Sequence, residues 1–378
     1  VRSSAASDVY KRQIITSYSP YRPFTSIQES GLYIKELENS ELTYEKKHEL
    51  NIGADMGFLN NRINLAVDWY KRNNYDLIGI VNTQGAGGQI LKYANIASMK
   101  SHGIEFTLST KNIKTKDFNW NTDFIFSNAK NEVTDLKQNA NVMELISGNG
   151  FAKQGYPVRG LFSIPFVGLD KDGIPVIINE KGEATSTDIN FQERQNTGFL
   201  KYEGPTDPTI TGSLGNMFSY KGFRLNLFIT YSFGNVIRLN PVFKAYYSDL
   251  TAMTREFKNR WTLPGDEAKT NVPAILSKRM YDSNEDLKYA YNAYNYSTER
   301  IAKGDFIRLK EISLAYDFPK AWINPLKLTD LSLKVQATNL FLIYADDKLN
   351  GQDPEFFNAG GVASPVPRQF TITLRLGL

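Results

Sequence analysis

Stretch after stretch of this chain places apolar residues at every second position, and the segments joining those stretches alternate between short and long. Leu50, Ile52, Ala54, Met56 and Phe58 alternate with Glu49, Asn51, Gly53, Asp55 and Gly57, and after the turn at LNNR the pattern resumes with Ile63, Leu65, Val67 and Trp69. A period of two marks a strand with one apolar and one polar face, and two such runs across a tight turn make a hairpin. Ile104, Phe106 and Leu108 continue the series, then Phe118, Trp120, Phe124 and Phe126. The Gly-interrupted TITGSLGNMF turns at SYKG into Phe223, Leu225, Leu227, Ile229, Tyr231 and Phe233. KEISLAYDF, LSLKVQATNLF and the closing RQFTITLRLGL bring the total to about nine strands, each long enough to cross a bilayer when tilted.

The connections narrow the fold further. Turns near Asn60, Lys114, Lys221 and Ala321 are short, whereas Asn73 to Ile96, Ala129 to Asp207, Asn235 to Asp305 and Leu342 to Pro367 are long. Compact soluble domains rarely carry structureless loops beyond about fifteen residues, and outer-membrane barrels have short periplasmic turns and long extracellular loops. If the last strand descends to the periplasmic rim, every short turn falls on that side and every long loop outside. The fold expected is therefore all-β: a transmembrane antiparallel β-barrel with long extracellular loops and short periplasmic turns. A soluble β-sandwich whose apolar stripes face a partner sheet is the alternative. Loop alternation and the near absence of charge on the apolar faces weigh against it. Nine strands do not close a barrel of even strand number, so further strands are expected upstream.

Composition removes other classes. Charged residues make up 22% of the 378, the formal charge is only +4, and no basic block tracks a phosphate backbone, so nucleic acid is not an expected partner. With no cysteine and only His48 and His102 for imidazole, thiol catalysis and thiolate or histidine-rich metal sites fall away. No apolar run reaches the length of a membrane helix, and the mean hydropathy of −0.38 is compatible with a barrel, whose lumen-facing residues hold the average down. Acidic residues lie scattered without catalytic spacing, so neither an enzyme nor a cofactor is expected.

Four local features have bland explanations. QGAGGQ (84–89) lacks the ending of a phosphate loop and is expected to be a glycine-rich loop. DKDG (170–173) lacks the twelfth-position glutamate of a calcium loop and is expected to be a turn joining FVGL to IPVII. Trp69, Tyr70, Trp120 and Phe118 are expected to form an interfacial girdle. VRSSAASDVYKRQ (1–13) is no secretory signal; it is expected to be a non-native leader, leaving 14–378 as the carboxy-terminal part of a barrel.

The strands and loops together resemble the SusC/RagA family, the TonB-dependent outer-membrane transporters of Bacteroidetes. The resemblance is carried by LTYEKKHELNIGADMGFLNNRINLAVDWYKRNNYDLI, IASMKSHGIEFTLSTKNIKTKDFNWNTDFIFSNAKNEVTDL and GYPVRGLFSIPFVGLDKDGIPVI. DPTITGSLGNMFSYKGFRLNLFITYSFG, GDFIRLKEISLAYDFP, LKVQATNLF and GQDPEF extend it from about Leu42 to the final strand. It implies a barrel of 22 strands with a plug and TonB box that are absent from this chain. It also implies import of glycans or peptides across the cell outer membrane beneath a SusD-like surface lipoprotein, energised by TonB–ExbB–ExbD.

Within that frame the Tyr-rich loop DLKYAYNAYNYS offers Tyr289, Tyr291, Tyr294 and Tyr296 as rigid contact area for substrate or lid. Phe370, Ile372, Leu374, Leu376 and Leu378 form the lipid-facing side of a last strand that the barrel-assembly machinery would read, although the family more often ends on Phe. The alternatives kept beside the importer are a soluble glycan-binding β-sandwich and a passive outer-membrane porin.

Overall fold

The computed structural model describes residues 15–21, 29–36, 39, 41–85, 91–242, 253–357 and 367–377. The leader expected at 1–13, most of QGAGGQ and Leu378 lie outside them. Ile15–Tyr21 (β1) and Glu29–Glu36 (β2) pair as a separate hairpin. Long strands follow at Lys46–Phe58 (β3), Ile63–Asn82 (β4), Leu91–Lys114 (β5) and Phe118–Leu136 (β6). The next connection carries Gly160–Ser163 (β7), Phe166–Leu169 (β8), Pro175–Ile178 (β9), Ala184–Thr185 (β10) and Lys201–Pro205 (β11). Then come Ile210–Tyr220 (β12), Phe223–Phe233 (β13), Val236–Arg238 (β14) and Ile301–Lys303 (β15). Phe306–Asp317 (β16), Asp330–Ala345 (β17) and Gln369–Gly377 (β18) complete the series.

Nine of these form one sheet in the order β18-β17-β16-β13-β12-β6-β5-β4-β3, antiparallel throughout. No helix among the described residues is long and apolar enough to cross a membrane. Crossing is the business of the strands.

Register explains why one face suits lipid. Met56, Leu65, Leu108, Phe124, Leu214, Ile229, Leu309 and Phe341 stand opposite one another in sequence, each paired with the next across eight neighbouring strands. Leu333 opposite Leu374 and Val335 opposite Ile372 carry the apolar face to the last strand. Phe370 and Ile372 are each 73% exposed, an arrangement a water-facing sheet would pay for heavily. One residue further along each strand, the opposite face reads Asp55, Ala66, Thr107, Ile125, Ser213, Thr230 and Arg308. That is the lumen side.

Polar groups on the lipid face are paired among themselves near the periplasmic rim. Trp120 Nε1 and Thr122 Oγ1 both donate to Asn216 Oδ1, at 2.9 and 2.8 Å, while Asn112 Nδ2 donates to Thr122 Oγ1 at 2.7 Å. An unpaired amide there would cost several kcal/mol, about the penalty of leaving it bare in hydrocarbon. Trp120 stacks on Phe218, and Trp69 lies on the same outer face, opposite Ile52 and Ile104 and in the row of Asn128, well up the strands from Trp120. Tyr70 does not belong with them. Adjacent strand residues point to opposite sides, so Tyr70 lies in the lumen over Gly103, with the Arg72 guanidinium 4.2 Å from its ring centre.

Short turns occupy 59–62, 115–117 and 221–222, and a short helical link occupies 318–329. The expected loop from Asn73 to Ile96 is mostly strand instead. β5 runs 24 residues, roughly 80 Å at the rise of a strand, against roughly 30 Å of hydrocarbon. A bulge beside Asp76, whose φ is +55°, breaks the alternation there and hid the continuation.

Candidate functional site

Above the membrane, the described parts of the connections at 137–209, 234–305 and 346–368 do not hang as separate loops. Their apolar residues make a core of their own. Val142, Leu145, Ile146, Phe162, Ile164 and Ile177 from the first connection enclose Ala293 from the second. Each large side chain fully buried there contributes about 1.5–3 kcal/mol. A capping box starts the helix Val142–Ile146: the Asn141 side chain accepts from Glu144 N, and the Glu144 carboxylate accepts from Asn141 N, both at 2.8 Å.

Three arginines fasten these connections to one another and to the wall. Arg238, at the end of β14, sends Nη2 to the carbonyl of Phe162 at 2.5 Å and to Ser163 Oγ at 3.2 Å. Its Nη1 donates to the Ser297 carbonyl at 3.0 Å. Burial pulls its pKa down to about 9, so the guanidinium stays charged at neutral pH with carbonyls as its direct partners. Arg300 pairs with Glu256, whose other oxygen accepts from Asn350 Nδ2 at 2.9 Å, and Nη2 of Arg300 donates to the Asn240 carbonyl at 2.7 Å. Arg308, on the lumen face of β16, meets Asp353 at 2.5 Å and Glu355 at 3.3 Å. Buried charges of this kind are costly to leave unpaired, and the Nε of each of the three already lacks a hydrogen-bond partner, which makes the loop layer sensitive to losing any remaining contact. Nothing in the hydropathy pattern marks them; the available signal is an arginine inside an otherwise apolar run, as in VIRLN and DFIRL.

The tyrosine-rich stretch is a helix, Leu287–Asn295, and not a loop. Leu287, Ala290, Tyr291 and Tyr294 recur at the spacing of a helical face and are buried. Tyr291 and Tyr294 are each 1% exposed, so their rings are spent on packing, with burial pushing the Tyr294 hydroxyl up from its ordinary pKa. Tyr289 alone of the four is exposed, with Lys288 Nζ 5.2 Å from its ring centre; Tyr296 is half-buried beside Arg238.

DKDG is the turn between β8 and β9. Asp170 Oδ1 accepts from the N–H groups of Asp172 and Ile174, both at 2.9 Å. Among the described residues no group of acidic or histidine side chains could hold a metal ion.

No protein-family model matches the chain. Its sequence is 25% identical over 368 residues to TonB-dependent receptor P3 of Formosa agariphila, covering 90% of this chain and 34% of that protein. It is 26% identical over 364 residues to TonB-dependent receptor SusC of Bacteroides thetaiotaomicron, covering 90% of this chain and 32% of that one. The fold matches the RagAB peptide importer in its open-open state with a TM-score of 0.73 at 24% identity, over 98% of this chain and 38% of that one. The RagAB peptide transporter aligns with a TM-score of 0.72 at 23% identity, over 97% and 38%. The chain thus spans about a third of the length of the relatives it matches.

Sheet and register define the class, wall and extracellular connections of an outer-membrane β-barrel, and in sequence the chain is similar to TonB-dependent receptors. Within that class the likeness is to SusC of Bacteroides thetaiotaomicron in sequence and to the RagAB importer in fold.

Proposed function

We propose that this chain forms part of an active importer that carries glycans or peptides across the outer membrane. Residues 14–378 supply wall and mouth of the barrel, and the step driven by TonB acts through a plug outside this chain. A SusD-like lipoprotein closes over the loop layer, where the exposed ring of Tyr289 is a contact for substrate or lid. The wall itself performs no covalent chemistry, so no enzymatic step is assigned to it. The observation that carries this reading is the pinned loop layer standing over a lumen lined with polar side chains. A receptor for large nutrients needs a shaped mouth, and buried ion pairs supply the shape. The relatives named as a TonB-dependent SusC and as a peptide importer agree with it.

The test is uptake in the organism that carries the full-length receptor. Removing the receptor, or TonB, is expected to abolish uptake of a nutrient too large for porins, and a surface lipoprotein is expected to co-purify with the receptor. Uptake that continues at the parental rate without TonB would identify a passive porin instead. Recovery of the protein without detergent from cells stripped of outer membrane would identify the soluble module.

A further inference from the structure

We infer that residues 346–357 are a strap that enters the mouth of the barrel along its inner wall, held there by an exchangeable ionic clasp. The inference rests on the importer reading for its purpose, but not for its geometry.

The position follows from register. Arg308 stands opposite Thr230 and Leu342 on the lumen face, one residue from Leu309 on the lipid face. Asp353 and Glu355 both reach it, so the segment bearing them lies inside the sheet's concave side, not outside it. The Arg308 side chain is 5% exposed beneath them. Further back, Leu349 is 2% exposed and packs with Ile237, Leu239 and Ala302. Asn350 donates to Glu256, and Asp346 accepts from the Lys303 N–H at 2.8 Å. The segment therefore spans from the β14–β15 ribbon to the wall, with anchors at both ends.

The chemistry of the anchors argues for a clasp. A buried ion pair contributes little net stability compared with apolar packing of the same volume, yet breaking one partner of it is costly. Such a joint is held by charge, and it releases all at once when a competing charge takes one partner. Glu355, with 38% of its side chain exposed, is the solvent-facing edge at which a competitor enters. A ligand carrying a carboxylate has the right chemistry to replace Glu355 and then Asp353 on the Arg308 fork. Release of the strap then widens the mouth on this side of the barrel.

The experiment reads the strap directly and needs no transport substrate. Leu349→Cys is placed in the full-length receptor, and intact cells are labelled with a membrane-impermeant maleimide, with Lys348→Cys, at an exposed position, as the control. Leu349→Cys is expected to label slowly, and at least about tenfold faster when combined with Arg308→Met. Because a lone Arg308→Met leaves two carboxylates unpaired, Arg308→Met/Asp353→Asn/Glu355→Gln is measured beside it. Heat-modifiable gel mobility confirms that each barrel has folded. Equal rates in all backgrounds, or a Leu349→Cys that labels as fast as the control, would overturn the strap while leaving the importer reading untouched. Uptake that continues at the parental rate without TonB, with strap labelling as expected, would do the reverse.

Discussion

A Cβ atom added at Gly173 would lie 2.6 Å from Cδ2 of Trp261, so the tip of the β8–β9 hairpin and the indole of the second connection are fitted to each other. Gly173 also has φ +75° and accepts a hydrogen bond from the Ala274 N–H at 3.0 Å. Gly173→Val is expected to destabilise this contact by about 2–4 kcal/mol, through left-handed strain and overpacking together. Protease added to intact cells should then nick the second connection faster, while the gel mobility of the folded barrel stays unchanged. An unaltered nicking rate would show that the two connections are not coupled here.

Arg238→Met tests the fastening between the first and second connections. Methionine keeps much of the volume and removes a desolvated charge, but abandons the carbonyls of Phe162 and Ser297. A net loss of about 1–3 kcal/mol is expected, smaller than for Arg238→Ala, which adds a cavity. Hydrogen exchange should rise in β7 and around Ser297 together. A rise on one side only would mean that Arg238 packs without joining them.

The turn beneath Trp261 carries a pH dependence of definite sign. The Leu263 N–H, with the hydroxyl and N–H of Thr262, holds Asp266 below the usual carboxylate range, and the Trp261 indole N–H does the same for Glu267. Groups with depressed pKa values stabilise the fold above their unfolded values and lose that contribution as pH falls through the folded ones. The Trp261 emission, taken as wild type minus Trp261→Phe, is expected to stay constant from about pH 8 to 5 and to shift red below about pH 4. A red shift confined to the alkaline side would contradict this assignment.

Neighbouring residues on β18 should differ sharply. Ile372→Arg puts a charge on the lipid face and is expected to cost about 2–4 kcal/mol, whereas Thr373→Arg, opposite Lys334 on the lumen face, is far better tolerated. Yield of heat-modifiable barrel in the outer membrane distinguishes them. Equal yields would mean that β18 does not present Ile372 to lipid.

The wall was legible because a tilted membrane strand has little freedom: lipid on one side and lumen on the other force an alternation that Met56, Leu65 and Leu108 display in plain view. Where the strands leave the membrane that constraint ends. β4 and β5 continue past Asp76 without it, so a period-two pattern stops there and predicts a loop. The helix at Leu287 is also legible, since Leu287, Ala290, Tyr291 and Tyr294 keep helical spacing; tyrosine content taken alone points to ligand contact instead. The arginine fastenings were not legible. Arg300 and Glu256 are far apart in the chain, and their meeting depends on how the connections fold over one another.

Because Ala293 of one connection completes the core built by Val142 and Phe162 of another, these connections cannot be exchanged singly between relatives. A chimaera that imports only the 137–209 stretch inherits half a core and a host arginine reaching for carbonyls that have moved. Diversification by recombination at this surface should therefore favour crossovers that keep the stretch from 137 to 305 intact, so that a new mouth arrives as a single heritable block.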